Sequence, residues 1–203
     1  MPSRSTKITL EKATQEYQSQ LTGSPGASHL LVRGITNETI ERFRLGYVEV
    51  PLLGDERFVG RISIPYLTVS GVVQLRYRTT LEGWKPKYDQ YKGEGTRPFN
   101  VSTIGSQETI YIVEGEIDAI TLDQAGYSAI GIPGATNWSK VYRRILRHHS
   151  CVVLADGDKA GREFADRVSQ DVRCKTIVFP DDEDVNSLYA KHPDYLMELI
   201  TIE

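Results

Sequence analysis

The chain has 203 residues, of which 39% are apolar and 25% are charged, and its formal net charge is −3. This composition is that of a folded globular protein and excludes a disordered or fibrous one. No run of about 18 apolar residues occurs and no secretory signal is recognisable, which predicts a cytoplasmic protein without a membrane partner. The two cysteines, Cys151 and Cys174, are too few for a zinc ribbon or a disulfide framework.

The first half of the chain predicts a mixed α+β unit. Short helices are indicated at residues 8–20, 27–33 and from 37 onward. The last of these begins after Thr36, whose hydroxyl is a good N-cap. Two strands, 60–66 and 72–78, alternate apolar and polar residues around the turn Ser70-Gly71. The segment 84–100 is rich in Gly, Pro, Tyr and Lys and predicts a long surface loop.

The second half has a different pattern, in which short apolar runs alternate with helical stretches. Strands are indicated at residues 110–113, 129–132, 151–155 and 176–179. Helices are indicated at residues 117–125, 138–148, 161–171 and 185–191. This alternation predicts a mainly parallel four-stranded sheet with helices on both faces. We therefore expect an α/β protein with domains at 1–105 and 106–203.

Acidic residues follow three of the predicted strands directly. Glu114 follows the first, Asp156-Gly157-Asp158 the third, and the acidic run 181–184 the fourth. The carboxyl ends of parallel strands converge on one crevice, so these side chains should lie close together. Clustered carboxylates repel one another unless cations neutralise them, and hard oxygen ligands suit Mg²⁺ or Mn²⁺. The sequence therefore predicts a divalent-metal site.

The segments VEGEIDAI (113–120), LADGDKAGREFADRV (154–168) and PDDEDVNSL (180–188) resemble the motifs of the TOPRIM domain, a Rossmann-like fold. The small-residue loop 131–136 is similar as well. Upstream, HLLVRGITNETIERFRLGY (29–47) resembles the start of the RNA-polymerase core of DnaG-type bacterial and phage primases. Basic residues also outnumber acidic ones between Arg57 and Arg97, as expected for a chain that contacts a polyanion.

The resemblance implies roles for matching residues. The implied catalytic residues are Glu114, Asp118, Asp156 and Asp158. The implied metal ligands are Glu114, Asp156, Asp158 and Asp184. The implied template- or nucleotide-binding residues are Arg33, Arg76, Arg78, Lys87 and Lys159. The expected activity is synthesis of short RNA primers from ribonucleoside triphosphates on a single-stranded DNA template by two-metal nucleotidyl transfer, with Mg²⁺ or Mn²⁺.

The sequence departs from the family pattern at three places. After Pro-Lys-Tyr, Asp89 and Gln90 replace the usual hydrophobic residue and Asn-Ser. A further basic residue expected near Phe99 is absent, since Asn100 and Val101 stand there, and Asn186 stands where many primases have an acid. No Cys/His cluster for a zinc-binding domain is present, so a separate zinc-binding or helicase protein is an expected partner. A TOPRIM nuclease and a non-catalytic regulator that binds DNA, nucleotide or a partner protein remain alternatives.

Overall fold

The computed structural model describes residues 2–106, 108–134 and 137–201. Two loop residues of the segment 131–136, Ala135 and Thr136, lie outside the described residues. The chain divides into two compact units, Met1–Gly95 and Thr96–Glu203. The division falls upstream of the boundary predicted near Gly105, because Phe99 pairs with Gly131 of the second unit through backbone hydrogen bonds of 2.8 and 3.2 Å.

The first unit combines helices with an antiparallel sheet. Its elements are α1 (Arg4–Ser19), α2 (Pro25–Val32), α3 (Asn37–Arg42), β1 (Gly46–Tyr47), β2 (Arg61–Thr68), β3 (Gly71–Thr79) and β4 (Tyr88–Gln90). The strands lie in the order β1-β2-β3-β4, each antiparallel to the next. The hydroxyl of Thr36 accepts a hydrogen bond from the Thr39 N–H at 3.2 Å, so the predicted cap of the third helix is confirmed.

The apolar face of α1 packs on the inner face of the antiparallel sheet. Leu10, Ala13 and Tyr17 of the helix form one buried cluster with Leu75 and Tyr77 of β3. In α1 these positions recur at helical spacing, and on β3 they alternate, as the two periodicities require. One strand was missing from the prediction: β4 lies inside the expected loop, since Tyr88 to Gln90 pair with β3.

The second unit is a parallel α/β sheet. Its elements are β5 (Thr109–Val113), α4 (Glu116–Gln124), β6 (Ala129–Gly131), α5 (Lys140–Leu146), β7 (Ser150–Ala155), α6 (Lys159–Asp171), β8 (Lys175–Val178), α7 (Val185–Lys191) and α8 (Pro193–Thr201). The strand order is β6-β5-β7-β8, and every neighbouring pair is parallel. The predicted α/β class and the parallel four-stranded sheet are confirmed. Helix α8 was not predicted, although Pro193 stands at its first position, where proline is favoured.

The core of the second unit fixes where its strands end. Ile112 of β5 lies beside Val153 of β7 in the parallel register, and both side chains are fully buried. Phe164 and Val168 of α6 belong to the same apolar cluster. Because this register is fixed by packing, the residues that follow β5 and β7 emerge side by side at one edge of the sheet. Among the described residues, no helix is both long and apolar enough to cross a bilayer.

Candidate metal centre and basic cleft

Glu114 and Asp156 stand one residue past the ends of neighbouring strands β5 and β7. The backbone N–H of Asp156 donates a hydrogen bond to the Glu114 carboxylate, so the two residues are in contact. The Oε1 atom of Glu114 is buried and has no hydrogen-bond partner among the described residues. A buried carboxylate oxygen without a donor is costly, which makes it a candidate ligand for a cation.

The acidic side chains act on each other electrostatically. Burial and, after it, the carboxylates of Asp118, Glu114, Asp184 and Asp158 together raise the pKa of Asp156 to about 8. Burial also raises the pKa of Glu114 to about 7, with Asp158 and Asp118 as the next causes, while the Asp156 N–H lowers it. The structure therefore brings all five predicted acids into one neighbourhood, and Asp156 is the residue on which the other four act.

Two of these acids also begin helices. The Oδ1 atom of Asp158 accepts a hydrogen bond from the Gly161 N–H at 2.7 Å and caps α6. The Oδ1 atom of Asp184 accepts one from the Ser187 N–H at 2.6 Å and caps α7, with the Ser187 hydroxyl completing a capping box. Capping fixes the position of each carboxylate and satisfies one of its oxygens. The other oxygen of each is the atom that remains for a metal or substrate.

A third acid, Asp118, lies in the first turn of α4 and is almost fully buried. Its Oδ1 atom accepts a hydrogen bond from the backbone N–H of Asn186 at 3.2 Å, and the Asn186 side-chain amide donates to the Thr121 hydroxyl at 2.9 Å. These bonds join α4 to α7. Sequence reasoning noticed Asn186 as a departure from the family, but it missed Thr121, whose only signal was helical spacing from Asp118.

Gly157 and Gly161 permit a very close approach of backbone around the acids. A Cβ at Gly157 would lie 1.7 Å from the Pro180 carbonyl oxygen, and one at Gly161 would lie 2.3 Å from the Asp156 carbonyl oxygen. Neither glycine has a positive φ, so the requirement is space and not an unusual backbone conformation. The segment after β8 is thereby held directly against the Asp156–Asp158 loop.

The carboxylate oxygens of this site suit a cation that takes only some of its ligands from the protein. Among the described residues, no group of three or more His, Cys, Asp or Glu side chains is arranged as a complete metal cage. Mg²⁺ in nucleotide enzymes is commonly held by one or two carboxylates, with waters and substrate phosphates as its other ligands. Glu114 and Asp156 supply hard oxygens of this kind, and the unpartnered Oε1 of Glu114 together with the mutual repulsion favours a bound divalent ion.

A cleft of about 850 Å³ lies within the first unit. Three of the predicted template-binding residues, Arg33, Arg78 and Lys87, line it together with His29 and the half-exposed Trp84. The three cations come from the end of α2, from β3 and from the segment before β4, so only the tertiary fold assembles them. Their convergence predicts affinity for phosphate groups.

The pKa of His29 is affected by the positive charge of the cleft. Burial and, after it, the charges of Arg33, Arg78 and Lys87 together lower its pKa to about 4. Neutral His29 accepts a hydrogen bond through Nε2 from the Arg33 Nε at 3.0 Å, which orients the guanidinium. Sequence reasoning missed this residue, because its four-residue spacing from Arg33 was the only available signal.

The other two predicted cations lie elsewhere. The Arg76 guanidinium is 4.9 Å from the centre of the Tyr88 ring and is not among the residues that line the cleft. Lys159 belongs to the second unit, at the first position of α6, where its side chain is 90% exposed and lies 3.7 Å from Glu163. Arg78 also contacts the Tyr88 ring and is itself nearly buried, so its position is set by packing.

Comparison with known proteins agrees with these observations. Residues 111–189 match the Toprim-like family model. The Gene 57 protein of Mycobacterium phage D29 is 38% identical over 150 residues, which cover 70% of this chain and 98% of that protein. The DNA primase of Pasteurella multocida is 25% identical over 232 residues, covering 90% of this chain and 40% of that protein. The chain thus spans about two fifths of the length of that primase.

Solved structures with a similar fold are primase domains. The RNA polymerase domain of Mycobacterium tuberculosis primase DnaG matches with a TM-score of 0.79 at 21% identity, covering 100% of this chain and 84% of that one. A DNA primase domain from Pseudomonas aeruginosa also has a TM-score of 0.79, at 23% identity, covering 97% and 78%. The fold is therefore that of a DnaG-type primase catalytic core with a Toprim domain. Within this class, the chain belongs to the family of the Gene 57 protein of Mycobacterium phage D29.

Proposed function

We propose that the chain is a DNA primase catalytic core that synthesises short RNA primers on single-stranded DNA. The observation that carries the proposal is the pair Glu114 and Asp156, two partly buried, mutually repelling carboxyls that follow the ends of adjacent strands. Such a pair is suited to a divalent ion and a polyphosphate. The similarity to DNA primases and the fold shared with a DnaG catalytic domain bound to single-stranded DNA support this function.

Glu114, Asp156, Asp158 and Asp184 would hold Mg²⁺ or Mn²⁺. The ion, when bound, would stabilise negative charge on the attacking 3′-hydroxyl oxygen and on the leaving pyrophosphate. The caps formed by Asp158 and Asp184 keep these carboxylates in place before substrate arrives. Asp118 maintains the negative potential around Asp156 and joins α4 to α7. Lys159, exposed at the first turn of α6, is placed to contact a triphosphate.

Arg33, Arg78 and Lys87 would bind phosphates of the template or of the incoming ribonucleotide in the cleft of the first unit. Neutral His29 accepts the hydrogen bond from Arg33 and so holds this guanidinium in position. The positive charge of the cleft therefore comes from Arg33, Arg78 and Lys87 and not from His29. Trp84 is 56% exposed and lines the same cleft, where its ring could stack on an unpaired base. Arg76 contributes less directly, by packing against Tyr88.

The test is primer synthesis by the full chain with single-stranded DNA, labelled ribonucleotides and Mg²⁺ or Mn²⁺. We expect templated RNA products, and we expect them to disappear in Glu114→Gln and in Asp156→Ala while circular dichroism shows retained folding. Products formed at the wild-type rate by either folded variant would rule out this assignment. A zinc-binding or helicase protein added in trans tests whether the core needs a separate partner.

A parallel reaction with labelled single strands, divalent metal and no nucleotides separates the alternative functions. A Toprim nuclease would shorten labelled single strands in the absence of nucleotides, and that shortening would depend on Glu114. A non-catalytic regulator would bind DNA or nucleotide and produce neither new nor shortened strands. In that last case the binding should be unaffected by Glu114→Gln, because the cleft cations lie in the other unit.

A further inference from the structure

All the charged side chains of helix α5 and of the residue after it are cationic. Lys140, Arg143, Arg144 and Arg147, here called the cationic helix, are all exposed, and no acidic residue occurs between Ser139 and His149. Residues four apart on a helix are neighbours, so Lys140 is adjacent to Arg144 and Arg143 to Arg147. The helix faces its unit mainly through Leu146, which is buried. Its charges therefore form one contiguous solvent-facing patch.

These charges are not neutralised within the part of the chain that the structure describes. No carboxylate there forms an ion pair with the cationic helix, and Arg147 is hydrogen-bonded instead to His148 at 2.8 Å. Elsewhere cations have acidic partners, as Arg44 does with Glu11 at 2.7 Å. Like charges at this spacing destabilise an isolated helix, so the arrangement has a cost that an anionic ligand would remove.

Arg97 lies near Tyr142 of the same helix. Burial raises the pKa of Tyr142, on the same helix, and the nearby Arg97 guanidinium opposes that rise. Val141 and Ile145 are 59% and 44% exposed beside the cations. Two exposed aliphatic residues are ordinary on a protein surface and do not by themselves indicate a protein partner. The uncompensated positive charge is the feature that suits an anionic ligand.

We propose that the cationic helix binds the sugar–phosphate backbone of nucleic acid, as a second contact besides the cleft of the first unit. The inference rests on the proposed function, since a primase core must hold a template or the RNA–DNA duplex that it makes. Contacts of this kind carry no sequence information, and they weaken as the salt concentration rises, because counterion release then contributes less free energy. They would increase the time that template or product stays bound.

The experiment measures binding of fluorescein-labelled single-stranded DNA and of an RNA–DNA hybrid duplex to the full chain by anisotropy, across a range of salt concentrations. The variant is Arg143→Gln/Arg147→Gln, and the charge-matched control is Arg162→Gln/Arg173→Gln in the same unit. For the single strand, we expect the slope of log K against log salt to become shallower by about 1.4, since each phosphate that is no longer neutralised accounts for about 0.7. The affinity should fall about tenfold at low salt.

The result that supports the proposal is a decrease of affinity and slope in the α5 variant but not in the control. A larger effect on the hybrid than on the single strand assigns the surface to product, and the reverse assigns it to template. Equal binding by wild type and α5 variant overturns the proposal, as does an equal decrease in both variants. Glu114→Gln should bind normally while losing synthesis, so failure of the proposed function is recognised separately.

Discussion

The Oδ1 atom of Asp118 accepts a hydrogen bond from the backbone N–H of Asn186 at 3.2 Å, in an environment where both residues are nearly buried. The same carboxylate raises the pKa of Asp156. Asp118 therefore combines a structural role, joining α4 to α7, with an electrostatic one at the metal site. The two roles can be separated, because an amide oxygen also accepts a hydrogen bond but has no charge.

Asp118→Asn should keep the bond to Asn186 and leave the melting temperature close to that of the wild type. Asp118→Ala should leave the Asn186 N–H buried without its acceptor and cost about 1–3 kcal/mol of unfolding free energy. Chemical denaturation of both variants measures this difference. Equal destabilisation by the two substitutions would show that the charge, and not the hydrogen bond, holds the helices together.

The stability of the metal-free protein should depend on pH through Asp156. Its pKa is raised from 3.8 to about 8 in the folded chain, so folding favours the protonated carboxyl. This contribution is fully present below about pH 4 and is lost as pH rises towards 8. Asp156→Asn, which cannot ionise, should raise the melting temperature by about 3 °C or more at pH 8.5 in EDTA, and by little at pH 4.

Saturating Mg²⁺ should reverse the order of the two melting temperatures at pH 8.5, so that the wild type becomes more stable than Asp156→Asn. The reason is that a cation binds the ionised carboxylate of the wild type and not the amide of the variant. Thermal unfolding with and without Mg²⁺, at both pH values, provides the measurement. If the variant and wild type differ equally at pH 4 and pH 8.5, the carboxyl does not titrate between them and the expectation is wrong.

Gly157→Ala should be strongly destabilising, since its Cβ would lie 1.7 Å from the Pro180 carbonyl oxygen. Relief requires movement of the backbone after β8 or of the Asp156–Asp158 loop, at a cost of about 3 kcal/mol. Gly95→Ala is the matched control, because nothing lies within 4 Å of its added Cβ and its φ is not positive. Urea unfolding of the two variants should differ clearly; similar midpoints would contradict the packing described here.

Lys87→Gln should weaken binding of single-stranded DNA and reduce the salt slope by about 0.7, as expected when one fewer phosphate is neutralised. Arg33→Gln should do the same, because both cations line the cleft of the first unit. Lys92→Gln serves as the control, since Lys92 is exposed in the same unit but does not line the cleft. Fluorescence anisotropy at several salt concentrations distinguishes them, and a control as impaired as Lys87→Gln would point to net charge alone.

Local patterns in the sequence predicted most elements of the fold, although not β4 and α8. Apolar runs separated by helical stretches predicted the parallel sheet, and the register of such a sheet places Glu114 beside Asp156 once both follow strand ends. Whether a segment forms a helix or a strand depends largely on the spacing of apolar residues along that segment, which can be read from the sequence alone. Strand β4 was missed for the opposite reason: its pairing with β3 depends on a partner about ten residues away, and its own residues lack an alternating pattern.

Only the tertiary structure decided which atoms are available for chemistry. Asp158 and Asp184 commit an oxygen to capping and Asp118 to Asn186, whereas Glu114 retains a buried oxygen without a donor among the described residues. The spacing of residues along the chain does not indicate which carboxylate oxygens have hydrogen-bond partners. Burial, repulsion and hydrogen bonding act through space between segments that are far apart in sequence. The sequence by itself predicted that the acids after three strands would meet at one edge of a sheet, and the packing determined the separate surroundings of each.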